Sequence, residues 1–274
     1  MPAQVAILRF PGSNCEAESL RCVEQVGLSG RIVRWNEPAE ELLRFDAYLL
    51  PGGFSYQDRI RAGAVAARLP LLQVLARRAA EGAPVLGICN GAQILVEAGL
   101  VPGDGAAAGE EAVVRMALAP NVIADREPYY TRWVHLAAGP AAASCLFTAG
   151  LQESLPMPMA HGEGRFATAE SGLPLAARTA LRYAHPDGGP AGGFPWNPNG
   201  SLAAAAGVCN AQGNVLALMP HPERAHLLAQ VPEDLPGAWG DRRRAARGAE
   251  ALLGAGPGLF LFRALARALQ EAGR

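Results

Sequence analysis

Two side chains in this sequence have the type and the neighbours to break a covalent bond: Cys89 and His221. Cys89 stands in Gly87-Ile88-Cys89-Asn90-Gly91, after the apolar run Pro84-Val85-Leu86 and before the helix-like Gln93-Ile94-Leu95-Val96-Glu97. A cysteine between glycines at a strand-to-helix turn is a G-x-C-x-G nucleophile elbow: the tight bend pushes the sulfur out of the sheet and leaves no room for larger flanking side chains. The turn also sets the sulfur at a helix N-terminus, where the macrodipole favours a thiolate. The same pentapeptide is compatible with a buried structural thiol, so the choice rests on whether a base can reach it.

That base is usually a histidine oriented by an acid elsewhere in the fold. His221 follows an apolar run, is held between Pro220 and Pro222, and has Glu223 two residues on in a stiff segment. His135 lies in a strand-like run, and His185 and His226 lie in loop or helix settings without an evident acidic partner, which fits structural or surface roles. Cys89, His221 and Glu223 therefore form a candidate Cys-His-Glu set. Pro51-Gly52-Gly53-Phe54 adds glycines after a strand, whose N–H groups approach a developing oxyanion closely. The N–H of Asn90 is placed to be a second donor.

These residues need a scaffold that brings them to one edge. Residues 4–10, 31–35, 46–50 and the run from Pro84 read as strands, and 15–26, 40–44, 61–68 and 71–81 as helical, with Ser13 or Asn14 capping the first. This alternation predicts an α/β fold: an open, mostly parallel sheet with helices on both faces and ligand-binding loops along one edge. After a loop-like stretch at 103–109, strand candidates at 113–118, 131–136 and 176–183 suggest an antiparallel extension. Residues 202–208 and 215–219 form a hairpin through Asn210-Ala211-Gln212-Gly213-Asn214. A surface insertion is expected near 230–258 and an amphipathic C-terminal helix near 259–272, all within a single domain spanning 1–274.

The chain has 274 residues, a formal net charge of -1 and 50% hydrophobic residues, enough for a full core and without the basic bias of a nucleic-acid or anionic-membrane partner. No apolar run reaches the roughly 18 residues of a membrane span, and no leader-like N-terminus is evident, so a cytoplasmic location is expected. Cys15, Cys22, Cys89, Cys145 and Cys209 contain no C-x-x-C pair, which argues against a disulfide framework and a metal site. All 24 basic residues are arginine, which removes Schiff-base chemistry and the lysine-bearing phosphate loop.

The elbow together with Pro220-His221-Pro222-Glu223-Arg224 resembles the class I, triad-type glutamine amidotransferases. More narrowly, Arg9-Phe10-Pro11-Gly12-Ser13-Asn14-Cys15, Leu50-Pro51-Gly52-Gly53-Phe54-Ser55-Tyr56, His161-Gly162-Glu163-Gly164-Arg165 and Asn197-Pro198-Asn199-Gly200-Ser201 resemble the glutaminase subunits of phosphoribosylformylglycinamidine synthases, of purine biosynthesis. The resemblance implies that Cys89 attacks the glutamine side-chain amide, His221 acts as base and then acid, and Glu223 orients His221. It assigns the oxyanion to the N–H groups of Gly53 and Asn90, and the glutamine site to Gln93 and Gly52. It places His161, Glu163 and Arg165 at a partner interface. It also implies ammonia transfer to a large synthetase subunit, with a small third subunit. No cofactor is then expected on this chain, because ATP and magnesium belong to the synthetase.

Some residues depart from that pattern. Gln57 and Arg59 stand where a glycine and an aromatic residue are expected, Ala92 replaces a bulkier residue, and only Arg132 is matched within 125–133. Residues 230–258, with Arg242-Arg243-Arg244 and Arg247, have no expected counterpart and read as a solvated basic face. Two other readings stay open: a glutaminase serving another synthetase, and a non-enzymatic oxidant sensor built on the same elbow.

Overall fold

Val5-Ala6-Ile7-Leu8 is apolar on both faces, as a strand covered on both sides must be, and forms the centre of β1 (Gln4–Arg9) in this computed structural model. The structure describes residues 2–103, 113–123, 127–168 and 175–273. α1 (Glu16–Gln25), β2 (Ser29–Arg34), β3 (Ala47–Leu50), α2 (Pro70–Ala80), β4 (Val85–Ile88) and α3 (Asn90–Glu97) follow, with 3-10 turns at Ala39–Arg44, Ser55–Asp58 and Ala66–Arg68. β2, β1, β3 and β4 pair in parallel in that order. Leu20 and Val23 of α1 converge with Ile7 over Gly30 on one face of the sheet. On the other face Tyr48, which pairs with Ala6, donates its hydroxyl to Leu42 O at 2.7 Å and accepts Nε–H of Arg78 from α2 at 3.0 Å. The two helices therefore cover opposite faces, as right-handed crossovers running in opposite directions require.

The second half supplies β5 (Ala117–Pro120), β6 (Tyr130–Ala138), β7 (Leu155–His161), β8 (Glu163–Ala167), α4 (Leu175–Arg178), β9 (Thr179–Ala184), β10 (Ala205–Cys209) and β11 (Val215–Leu218). β11 adds in parallel to β4, and β10, β9, β6 and β7 continue antiparallel, giving a nine-stranded sheet ordered β2-β1-β3-β4-β11-β10-β9-β6-β7. β5 and β8 form a separate pair. The antiparallel half curls back over the carboxyl edge of the parallel half, so that Pro158 of β7 accepts the backbone N–H of His221 at 2.8 Å. α5 (Ala238–Ala245), α6 (Gly248–Leu252) and α7 (Leu259–Ala272) follow, and α7 buries Leu261, Phe262 and Leu265 in the main core.

Several elements differ from expectation. α1 starts at Cys15 with no side-chain cap, because Ser13 Oγ instead accepts the N–H of Phe10 at 3.0 Å. Residues 61–65 are turns, and helix begins only in the 3-10 turn at Ala66–Arg68. Residues 202–204 form a 3-10 turn before the hairpin arm, and 175–178 form α4 before β9. β7 and β8 were not anticipated, since prolines 156 and 158 and the glycines of the His-Gly-Glu-Gly block mask their alternation. The loop expected at 103–109 lies, apart from Gly103, outside the described residues.

Candidate active site

β4 carries the chain to Cys89, whose N–H donates to Leu218 O at 2.8 Å, so the elbow is pinned to β11 before α3 begins. Cys89 has φ 50 and ψ -105, a sparsely populated conformation for a non-glycine residue and typical of functional sites. The bend depends on Gly91, where a Cβ would collide with the carbonyl oxygen of Leu50. Cys89 is 6% exposed, and its sulfur lies 3.7 Å from Ala160 O of β7.

His221 and Glu223 arrive from the loop after β11. His221 Nδ1 lies 2.5 Å from Glu223 Oε1 and 4.0 Å from Cys15 Sγ, and the Cys89 thiol is near enough to act on the charge of the ring. Nδ1 is occupied by Glu223, which leaves Nε2 for Cys89. Glu223 is fully buried, and its main-chain oxygen accepts a hydrogen bond from His226 Nδ1 at 2.7 Å. Burial on its own would lower the His221 pKa, but the Glu223 carboxylate and the two thiols outweigh it and hold the imidazole well above its ordinary value. An imidazolium is therefore available as a proton donor.

Gly52 and Gly53 meet this pair from β3. A Cβ at Gly52 would lie 2.7 Å from His221 Cε1, so the ring packs directly against the backbone there. The loop is tied to the elbow by Ser55 N–H, which donates to Asn90 Oδ1 at 3.1 Å, and to the 11–14 turn by Asn14 N–H, which donates to Gly52 O at 3.2 Å. The Gly53 N–H makes no hydrogen bond among the described residues. Asn90 is the first residue of α3, so its N–H has no intrahelical acceptor. Asn90 Nδ2 donates to Gln93 Oε1 at 2.9 Å, and Gln93 Nε2 donates to Glu163 O at 2.6 Å, linking the elbow to the His-Gly-Glu-Gly block.

Cys15 is the residue that sequence reasoning missed. Its sulfur, with His221 and Glu223, forms a group whose ligand atoms lie within 4.8 Å of one another. The 2.5 Å contact between His221 and Glu223 is hydrogen-bond geometry, because two ligands of one tetrahedral zinc stand about 3.4 Å apart. Cys15 Sγ instead accepts from Arg224 Nη2 at 3.2 Å and donates to Asn14 Oδ1 at 3.1 Å, and burial pushes its pKa up. Its place in the Pro-Gly-Ser-Asn-Cys turn was the only available signal.

Residues 2–253 match the family described as CobB/CobQ-like glutamine amidotransferase domain. Phosphoribosylformylglycinamidine synthase subunit PurQ of Methanothrix thermoacetophila is 40% identical over 98% of both chains, and the subunit of the same name from Pyrococcus furiosus is 37% identical over 80% of this chain and 88% of its own. The chain belongs to this glutamine amidotransferase family. Among solved structures, a chain of PurLQS from Thermotoga maritima superposes with a TM-score of 0.70 at 30% identity, covering 98% of this chain and 100% of that one.

Within that family frame the remaining expected residues separate. His161 is 3% exposed, lies against Gly164, and is held neutral, its pKa pushed down to about 3 by burial and then by His221. A surface contact would need this ring uncovered. Glu163 and Arg165 are half-buried, with Glu163 Oε2 accepting the N–H of Ala62 at 3.3 Å and Arg165 Nε donating to Pro120 O at 3.0 Å. Asn121, another residue missed from sequence, holds the block together: its amide donates to His161 O and Pro128 O, each at 2.8 Å, and its oxygen accepts from Gly164 N. Arg132 donates to Pro195 O at 3.0 Å.

Proposed function

We propose that this chain is the glutaminase subunit of a phosphoribosylformylglycinamidine synthase, hydrolysing glutamine to glutamate and ammonia for a synthetase partner. Near-full-length similarity to subunits of that name is the observation that carries the reading. Cys89 Sγ attacks the side-chain amide carbon of glutamine, and the oxyanion accepts hydrogen bonds from Gly53 and Asn90 N–H. His221 gives its proton to the leaving nitrogen, which departs as ammonia and leaves a thioester on Cys89. His221 then takes a proton from water, the resulting hydroxide adds to the thioester, and glutamate leaves as the thiolate is regenerated. Glu223 stabilises the charged imidazole in both steps, and Gly52 and Gln93 shape the glutamine site. What supports these roles is the juxtaposition of Cys89, His221 and Glu223 beside two free backbone donors.

The hydrolytic steps use protein groups and water, so the reading needs no cofactor on this chain; ATP and magnesium act on the synthetase. The partners are the large synthetase subunit and the small third subunit. Glu163 and Arg165 are offered to the interface, while His161 supports the site from inside. The described residues include no helix long and apolar enough to cross a membrane, and a cytoplasmic location accords with this reading. One domain spans the chain, with 230–258 as an insertion. Glutamate release measured with and without the co-expressed synthetase tests the assignment: activity that needs Cys89 and rises in the complex is expected, and release unaffected by Cys89→Ser refutes it.

A further inference from the structure

The acid–base half of the site and its oxyanion half come from distant parts of the chain, and one link between them runs through a sulfur. Cys15 is fully buried ahead of α1, where its carbonyl oxygen accepts the N–H of Ser19 at 3.0 Å and the Ser19 hydroxyl at 2.8 Å. Its thiol donates to Asn14 Oδ1 at 3.1 Å, and Asn14 N–H donates to Gly52 O at 3.2 Å, so the sulfur is fixed to the Gly52-Gly53 turn. A Cβ at Gly52 would lie 3.3 Å from this sulfur and 2.7 Å from His221 Cε1. Thiol and imidazole therefore pack side by side over the glycine.

Arg224 reaches the same sulfur from the other side. It ends the 3-10 turn Pro222–Arg224, its N–H donates to His221 O at 3.3 Å, and its Nη2 donates to Cys15 Sγ at 3.2 Å across 209 residues of chain. A neutral thiol is a weak acceptor, so this hydrogen bond alone does not account for drawing a solvent-exposed arginine onto it. The charge beneath does. Glu223 is fully buried with Oε1 on His221 and Oε2 without a hydrogen bond among the described residues, and a buried carboxylate needs compensating positive charge. Burial lowers the Arg224 pKa, but Cys15 and then Glu223 outweigh it and raise it, so the guanidinium acts on this carboxylate.

We propose that Arg224, seated on Cys15, is a positioning residue for the His221–Glu223 pair, holding the ring in register with the Gly52-Gly53 turn and Cys89. The part of this that concerns turnover rests on the glutaminase reading. The titratable groups around the ring are Cys15 from the start of α1, Cys89 from the elbow, His161 from β7 and Glu223 from its own turn. Arg224 is the cation acting on that set from outside, with Glu18 of α1 acting on Arg224 in turn. Removing its charge lets Glu223 hold the imidazolium proton more firmly and makes the Cys89 thiolate harder to form.

Two measurements on the full chain test this: the pH dependence of Cys89 alkylation by iodoacetamide, located by peptide mapping, and steady-state glutaminase assays with the synthetase present. Arg224→Gln is expected to move the alkylation midpoint up by about half a pH unit or more. It should also lower kcat about tenfold with KM unchanged, the mark of a misplaced reacting group and not of lost substrate binding. Arg224→Lys keeps the charge and is expected to leave the midpoint in place. Cys15→Ser keeps an acceptor for Arg224 and should retain kcat, whereas Cys15→Ala should lose it to the extent that Arg224→Gln does. An alkylation midpoint unmoved by Arg224→Gln, equal shifts for the glutamine and lysine variants, or a raised KM at constant kcat overturns the proposal. Alkylation needs no glutamine, so the expected midpoint shifts in a chain that releases no glutamate would support the positioning role while refuting the glutaminase reading.

Discussion

Cys89 is held where a cysteine is uncomfortable: 6% exposed, with φ 50 and a thiol beside a buried imidazole. Such a backbone costs on the order of 1–3 kcal/mol, and it persists because β4, β11 and the 52–55 loop fix the turn from three sides. Gly52 leaves no room beside the imidazole. Gly52→Ala puts a methyl 2.7 Å from His221 Cε1, and the ring must move; steady-state glutaminase assays should show kcat down by about 100-fold. Unchanged kcat would remove Gly52 from the site. His221 also carries a pH signature. Its pKa is raised in the folded chain, so its contribution to stability is complete below the ordinary value of about 6.5 and vanishes as pH rises through the folded value. Glu223→Gln removes the principal raising charge. The stability gap between wild type and this variant, from urea titrations at pH 6.5 and above, should narrow with rising pH, and a constant gap contradicts the assignment.

At the scale of elements, the loop after β3 is where this chain departs most from its family's pattern, and the backbone records the departure. Tyr56, Gln57, Asp58 and Ile60 all have positive φ, at 54, 60, 54 and 73, and Gln57 stands where the resemblance calls for glycine. Gln57→Gly should raise stability by about 1 kcal/mol, visible as a higher thermal midpoint; a lower midpoint would mean that the side chain contributes more than its strain costs. The parallel half was legible because its strands are short apolar runs ended by Pro-Gly or Gly-x-Cys turns, which is also why Cys89, His221, Gly52 and Gly53 could be placed on one edge. β7 was not legible, because Leu155-Pro156-Met157-Pro158-Met159 breaks the strand pattern with prolines that an edge strand tolerates. Missing β7 meant missing how His161 and Ala160 come to lie beside the site. The roles of Cys15 and Asn121 were hidden for a related reason, since both act through contacts across more than 35 residues of chain. Of the 230–258 arginines, Arg242, Arg244 and Arg247 are exposed, as a solvated face requires, while Arg243 pairs with Glu233 and Arg244 with Asp241.

For the whole molecule, two buried histidines set an acid limit. His135 and His161 are both lowered, to about 4 and about 3, so the unfolded chain binds protons below about pH 6.5 that the folded chain refuses. Stability is kept above that pH and lost as pH falls towards the folded values, by about 1.4 kcal/mol per pH unit for each residue. Thermal midpoints at pH 6.5 and 5 should fall for wild type and fall less for His161→Asn; parallel falls would show that His161 is not the group responsible. Ammonia release is useful only beside its acceptor, and low glutaminase turnover is therefore expected from the isolated chain, with a rise on adding the synthetase and third subunit. Equal turnover in the two states contradicts this coupling.

The central claim is that, of the two thiols beside His221, Cys89 and not Cys15 forms the covalent bond. A chloroketone analogue of glutamine followed by peptide mass mapping separates them directly. One equivalent added to the peptide containing Cys89, with loss of glutaminase activity and protection by glutamine, is the predicted result; inactivation with the label on Cys15 would contradict it.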